Sequence, residues 1–444
     1  MATDVTDTPA PIDLTVDGPS AAAPRFRRPS GVVGNSVWAG IGELGRVGTQ
    51  AALLVVVARA LGPDGFGRFA ATTTLLQLIA PLVWFGAYSV LIQRVATGSA
   101  TLSQACSTAL TTVVVFGPWG GVLLAVAVRP LLLEGVGFAD FLVLAGAELV
   151  YMGIVETLAV TGWAAEQLVQ SAAVRWVAGL CRLAGAGVFL LVGAGPGKEA
   201  ELFSVYLLST AAAAVVCAVL VRRWYGLRLR PTLPDAAQLR IGTSFAVGGA
   251  AFMLQDNIDK PLVLRLAGPD AAGTYSAGYR VVIVALMPIR ALLMASYAQF
   301  FRVGSRGLQK SSALARRRLV PTAVYSLVAA VGLFVSADLV ASVFGKGFEE
   351  TAEVIRWLAL LPLIRSCYVF VGDALTGAGL QPQRTRLVVC ATMLNIVLNV
   401  VLIPDHSWRG AVVATMASEV ALGASLWWLL VRRLRKERLT GSAT

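Results

Sequence analysis

The stretch Arg59-Ala60-Leu61-Gly62-Pro63-Asp64-Gly65-Phe66-Gly67-Arg68-Phe69-Ala70 recurs 206 positions later as Arg265-Leu266-Ala267-Gly268-Pro269-Asp270-Ala271-Ala272-Gly273-Thr274-Tyr275-Ser276. One offset aligns the Arg, the Gly-Pro-Asp, the second Gly, the aromatic residue and the small residue after it. Each copy leaves one long apolar segment and enters another. Gly-Pro-Asp is helix-stop and turn chemistry, so Gly62, Pro63, Gly268 and Pro269 are read as structural. The repetition marks an internal duplication: two halves of a membrane protein, each opening with the same helix-loop-helix.

Composition agrees. The 444 residues are 57% hydrophobic and 14% charged, with a mean hydropathy of +0.73, whereas a soluble chain carries about 25% charged residues. No polar stretch is long enough to form a soluble domain. A helix needs about 20 apolar residues to cross the hydrocarbon core. Twelve such spans are predicted, near 34–60, 69–92, 105–128, 139–162, 171–194, 201–221, 242–264, 275–300, 320–344, 354–377, 387–403 and 410–431. The runs are continuously apolar rather than alternating, which argues against barrel strands. The expected fold is an all-α polytopic membrane protein of about twelve transmembrane helices in two six-helix bundles. Residues 1–30 read as a disordered cytoplasmic tail, 31–221 as the first bundle, 222–240 as a cytoplasmic linker, 241–432 as the second bundle and 433–444 as a basic cytoplasmic tail.

The net charge of +12 has little to do with nucleic acid, because arginine is spread along the chain and gathers at helix ends. With the N-terminus inside, 22 basic residues fall in inner loops and tails and 7 outside, so both termini are expected in the cytoplasm of a bacterial cell membrane. The five cysteines, Cys106, Cys181, Cys217, Cys367 and Cys390, show neither metal nor disulfide spacing and read as small buried residues. The single histidine, His406, is assigned no role. No catalytic residue, metal, cofactor or nucleotide-binding loop is expected, and outer loops are too short for a polytopic glycosyltransferase or polymerase.

Charges inside the spans carry more information, since each costs about 2.5–3.5 kcal/mol at the bilayer centre. The first span holds Glu43 and Arg46, the fourth Glu148 and Glu156, and the fifth Arg175 and Arg182. The seventh holds Asp256, Asn257, Asp259 and Lys260, and the eighth Arg280 and Arg290. The tenth holds Arg365 and Asp373, and the twelfth Glu419. Asp256 and Lys260 are four apart, acid first, the favourable order for an in-helix pair. Glu43, Asp256, Asp259 and Asp373 are candidates for a coupling ion or for ion pairs. Seven basic residues in mid-span exceed what interhelical glue needs. They point to a wet, partly cationic chamber between the halves, with Arg46, Lys260, Arg280, Arg290 and Arg365 as candidate contacts for phosphate or diphosphate. Gln50, Gln77 and Asn257 are placed to meet hydroxyls. Asn395 and Asn399, four apart, read as hydrogen-bonding glue. Pro81, Pro288 and Pro362 predict kinks.

Three motifs then resemble a known family. They are Ala58-Arg59…Leu61-Gly62-Pro63…Gly67; Asp259-Lys260…Gly268…Gly273-Thr274-Tyr275…Tyr279-Arg280; and Leu375…Gly379 with Asn395…Asn399…Ile403-Pro404…Gly410-Ala411…Ala414-Thr415…Ser418-Glu419. In this order, over residues 32–432, they are similar to the polysaccharide-biosynthesis flippases of the multidrug/oligosaccharidyl-lipid/polysaccharide exporter superfamily. Two positions depart: Ser407 stands where the family often has Gly, and Val412 where it has Ala, so the segment around His406 is expected to differ in shape.

The resemblance implies two bundles around a central cavity, alternating access, and a polyprenyl-diphosphate-linked oligosaccharide moved from inner to outer leaflet for surface or exported polysaccharide. Membrane lipids and a polymerase or export machinery are the implied partners. A cation-coupled drug antiporter of the same superfamily is the alternative, because intramembrane acids suit organic cations.

Overall fold

The structure, a computed structural model, describes residues 32–441 apart from 134, 166, 193–196 and 305. The predicted N-terminal tail lies outside the described residues. Among those residues there is no strand. Twelve long helical rods follow one another: α1 (32–61), α2 (63–96), α3 (Leu102–Ala127), α4 (Phe138–Ala164), α5 (Leu168–Val192), α6 (Glu199–Tyr225), α7 (236–267), α8 (269–304), α9 (Leu308–Phe344), α10 (Thr351–Gly377), α11 (381–406) and α12 (408–441). Eight stretches are long and apolar enough to cross a membrane; two of them, Gly48–Val83 and Gln381–Glu437, run across a break and so hold parts of two rods each. The rods outside that set are α7 and α8, which are interrupted at Ile258 and Leu286.

The surface is inverted relative to a soluble protein. Leu191 is 87% exposed and Val335 76%. Patches of this kind rarely stay bare in water, and here they clothe the bundle in a hydrocarbon-facing coat. Cys367 and Cys390 belong to that outside, a correction to their expected burial, while Cys106 and Cys217 are buried. In lipid a thiol on the surface carries little penalty.

Both copies of the repeat take the same shape. Gly62 has φ 69°, ψ −178° and Gly268 has φ 89°, ψ 174°, a region that L side chains avoid. Pro63 and Pro269 then open the next rod at a position where a missing N–H is harmless. The copies meet face to face. A Cβ on Gly67 would stand 1.9 Å from the Pro269 carbonyl oxygen, and one on Gly273 would stand 2.1 Å from the Pro63 carbonyl oxygen. This reciprocal contact is what a two-fold relation between halves produces. Each copy also rests on the opposite half. Arg59 Nε donates to the carbonyl of Val343 at 2.8 Å, and residues 259–267 pack on the short helical turn Arg129–Leu132. We refer to this end as the motif face; the opposite face carries both described termini. At the motif face, burial and the neighbouring Asp64 and Glu350 hold the Asp270 carboxyl above its ordinary pKa.

Other breaks sit beside the prolines. α2 breaks at 84–86, three residues after Pro81. α8 breaks at Leu286, just before Pro288, and α10 breaks at 359–360, just before Pro362. The break between α11 and α12 falls on Ser407, at φ 53° and ψ −139°. That conformation costs a non-glycine residue about 1–3 kcal/mol. The backbone beside His406 is thus a strained hinge between two rods.

The halves are joined by residues 226–234, which run extended along α3. The backbone N–H groups of Arg228, Arg230 and Thr232 donate to the hydroxyls of Ser103, Ser107 and Thr111 at 3.4, 3.1 and 3.1 Å. Alternate N–H groups of an extended chain meet hydroxyls spaced four apart on a helix. Asp235 then caps α7, its Oδ1 accepting from Gln238 N at 2.7 Å.

Candidate functional site

Two polar clusters lie inside the apolar shell, one in each half. The second-half cluster is built where α7 breaks. Pro261 has no N–H and crowds the previous turn, and the helix ends at Asn257 to restart at Asp259. The Asp256 carbonyl, in the last turn before the break, accepts from Lys260 Nζ at 2.9 Å. Lys260 is 2% exposed; its Nζ pairs with Asp259 at 2.8 Å and lies 3.7 Å from the Tyr279 ring centroid. Asp259 also accepts from the Tyr275 hydroxyl at 2.5 Å. The anticipated Asp256–Lys260 side-chain pair does not form, because the break turns Lys260 onto Asp259. The Asp256 carboxylate instead bridges Arg365 at 2.8 Å and Arg290 at 3.1 Å. Arg365 also holds Glu419 through Nε at 3.0 Å and NH2 at 2.5 Å, and Tyr368 donates to the other Glu419 oxygen. Three acids and three bases from α7, α8, α10 and α12 thus neutralise one another. Arg290, with its side chain 43% exposed, is the open end of this network.

The first-half cluster is smaller. Residues Gly146–Tyr151 form a π-turn inside α4, a deformation often found at functional positions. It carries Glu148, 2% exposed. Glu148 accepts from the Tyr206 hydroxyl at 2.6 Å and from Gln77 Nε2 at 3.1 Å. Arg182 NH1 donates to the Tyr206 hydroxyl at 2.9 Å and stands 4.0 Å from Glu148. Nearer the opposite face, Arg175 pairs with Glu156 at 2.9 Å and stacks on Trp163.

Arg280 stands apart. It lies on α8 between the clusters, within electrostatic range of Glu148 and Tyr206 in the first half and of Lys260 in the second. Among the described residues it makes no ion pair, and its buried Nε has no hydrogen-bond partner. A buried guanidinium nitrogen left without a partner carries a desolvation cost.

The structure therefore redistributes the predicted residues. Of the seven mid-span bases, Arg175, Arg182, Lys260, Arg290 and Arg365 have acidic partners; Arg280 does not. The side chains of Glu43 and Arg46 lie outside the described residues. Asp373 is remote from the second-half cluster and pairs with Arg384 at 3.2 Å. Gln77 serves Glu148, and Asn257 Nδ2 donates to the Met253 carbonyl at 3.1 Å. Asn395 Nδ2 donates to Ser418 Oγ across to α12 at 3.0 Å, while Asn399 Nδ2 donates to the Asn395 carbonyl at 2.8 Å. Tyr206, Tyr275 and Tyr368 were not foreseen. A phenol in an apolar run reads as packing, and its hydroxyl partner comes from another helix.

Paired halves, a lipid-facing exterior and charge clusters sealed inside make this a multi-pass membrane protein with the fold of the MOP-superfamily transporters. The fold matches an inward-facing multidrug resistance MATE family transporter of that superfamily with a TM-score of 0.73, at 13% identity, over 91% of this chain and 100% of that one. An outward-facing MATE transporter gives 0.60 at 14% identity, over 90% and 95% of the two chains. A superfamily transporter from Pyrococcus furiosus, described as having a binding pocket of reverse polarity, gives the same score, identity and coverage.

The chain belongs to the polysaccharide biosynthesis protein family, which it matches over residues 32–304. It is 23% identical over 244 residues to a probable low-salt glycan biosynthesis flippase of Haloferax volcanii. That match covers 52% of this chain and 49% of the relative, so it spans about half of the curated protein's length.

Proposed function

We propose that the protein flips a polyprenyl-diphosphate-linked oligosaccharide from the inner to the outer leaflet by alternating access between its two halves. A diphosphate-sugar head cannot cross hydrocarbon unaided, whereas the polyprenyl tail can remain in the bilayer. The protein has only to offer the head a polar path open to one side at a time. The observation that carries the reading is the charge arrangement. Each cluster balances its own acids and bases, and Arg280 is left between them without a counter-ion. Arg290, already partly exposed, stands next on α8. An arginine without a partner suits a phosphate group, which offers it several oxygens.

The family membership and the flippase relative support the same reading. The closed contact at the motif face supports an arrangement open toward the opposite face, which the arginine bias assigns to the cytoplasm, with both termini there. The drug-antiporter alternative requires free intramembrane carboxylates. Asp256, Asp259, Glu148, Glu156 and Glu419 already hold basic or hydroxyl donors, which weakens it.

The test is deletion of the gene in its host, with polyprenyl-diphosphate lipids extracted and weighed by mass spectrometry. Accumulation of a lipid-linked oligosaccharide together with loss of a surface glycan is expected, and Arg280→Ala and Arg290→Ala alleles should restore little export. An unchanged lipid pool with altered resistance to cationic compounds would sink the proposal in favour of the antiporter.

A further inference from the structure

We propose that a pocket at the edge of the second half, formed where α12 passes the start of α9 and the turn between α10 and α11, holds the headgroup of an acidic phospholipid. It lies on the face that carries both described termini, away from the two charge clusters, and stands whatever the transported head is.

The pocket measures about 210 Å³ and is lined by Leu308, Ala378, Leu380, Arg433, Lys436 and Glu437. Its floor is apolar. Leu308, 2% exposed, belongs to a buried cluster with Leu375, Leu430 and Leu434, and Ala378 and Leu380 pack against that cluster. Its wall is ionic. Arg433 and Lys436 stand three apart on α12 and so share one face, and Glu437 is the single acid of the lining. The arginine is aimed: its Nε donates to Gln383 Oε1 of α11 at 3.2 Å, which fixes the guanidinium plane and leaves the terminal nitrogens of the fork to a ligand. Among the described residues Arg433 makes no ion pair. The depth also fits a headgroup. Trp428 is 57% exposed and carries Arg432 over its ring at 5.1 Å, an aromatic and a basic anchor of the kind found where hydrocarbon meets water. Arg433 comes five residues after Trp428, about 7–8 Å further along the helix, at the level of lipid phosphates. A free anion would use the basic wall alone. A lipid uses wall and floor together, with its phosphate on Arg433 and Lys436 and its glycerol over Leu380. Basic pockets between helices take acidic headgroups in this way. The bound lipid would tie α12 to the start of α9 and to the α10–α11 turn.

The test is lipid retention by the purified full-length protein in detergent, read by native mass spectrometry with phosphatidylglycerol and phosphatidylcholine of the same chains at equal concentration. The wild type is expected to prefer phosphatidylglycerol about fivefold or more; equal retention overturns the proposal. Arg433→Gln should weaken phosphatidylglycerol binding about fivefold, the worth of one basic group at an anionic surface. Arg435 is two residues away and lies on another face of α12, so Arg435→Gln should leave the preference unchanged. Equal losses in the two variants would mean a diffuse basic surface and no built pocket.

If Arg433→Gln fails to fold, Gln383→Ala decides. It keeps every charge, removes only the anchor of Arg433, and should weaken phosphatidylglycerol binding about two- to threefold; unchanged binding overturns the aimed arginine and the site with it. Inorganic phosphate, added at the concentration of the lipid, is expected to displace none of it. Full displacement would assign the pocket to a free anion and refute the phospholipid.

Discussion

The two polar clusters occupy comparable places in two related halves, yet they are built to different standards. In the second half, Asp256, Asp259 and Glu419 meet Lys260, Arg290 and Arg365 at 2.5–3.1 Å, and each buried carboxylate has a cation in contact. In the first half Glu148 is satisfied mainly by neutral donors, and its arginine stands at 4.0 Å. The repeated motif has the same shape in both halves, while their interiors differ. One half is a knot of direct ion pairs, and the other holds its carboxylate mainly through a hydroxyl and an amide with its arginine one step further off.

That contrast can be broken by mutation, beginning with the knot. Arg365→Ala strands Asp256 and Glu419 in a dry interior and is expected to cost about 3–5 kcal/mol in detergent unfolding. Arg175→Ala, which removes the more exposed Glu156 pair of the first half, should cost about 1–2 kcal/mol. Equal losses would mean that the halves do not differ as described.

The next test addresses what the halves share. Gly273→Ala forces a methyl onto the Pro63 carbonyl and Gly67→Ala one onto the Pro269 carbonyl. Each should cost the closed motif face about 1–3 kcal/mol and raise labelling of an Asp64→Cys probe by a membrane-impermeant maleimide. If one substitution acts and its counterpart does not, the contact is not reciprocal. The smallest effects lie at the joints. Ser407→Gly removes a strained φ and should raise stability by about 1 kcal/mol, seen as a higher melting temperature. Ser107→Ala deletes one bond to the Arg230 N–H and should lower stability by about 0.5–1.5 kcal/mol.

Much of the fold could be read from the chain before any coordinates. The repeat at Gly62-Pro63-Asp64 and Gly268-Pro269-Asp270, together with twelve apolar runs, places the rods and their pairing, because both signals are local. Ser407 was legible as a departure, although not as a positive φ. The site was legible only as a set of charges. Which acid takes which base depends on the helix break at Ile258, which Pro261 announces without naming the partners, and on a π-turn at Glu148, which has no reliable sequence signature. Asp256 and Lys260 stand at favourable in-helix spacing, but Pro261 changes the geometry between them. Arg280 looked no different from Arg290 in sequence; what distinguishes it is the absence of a neighbour, which only tertiary structure reveals. The hydroxyl row Ser103, Ser107, Thr111 was visible as a four-residue period, but its partner is an extended backbone more than a hundred residues away.

That row has a mechanical meaning. Because alternate amides of residues 228–232 are stitched to α3, the segment between the halves is not a slack tether whose length sets how far they may drift. Only the few residues between Thr232 and the Asp235 cap lack such a stitch, and Pro234 stiffens even these. The second half is therefore tied to the first near the start of α7 as well as at the motif face. A swing of the halves that kept these stitches would pivot near the start of α7 and would be widest at the far end of α7, at the motif face.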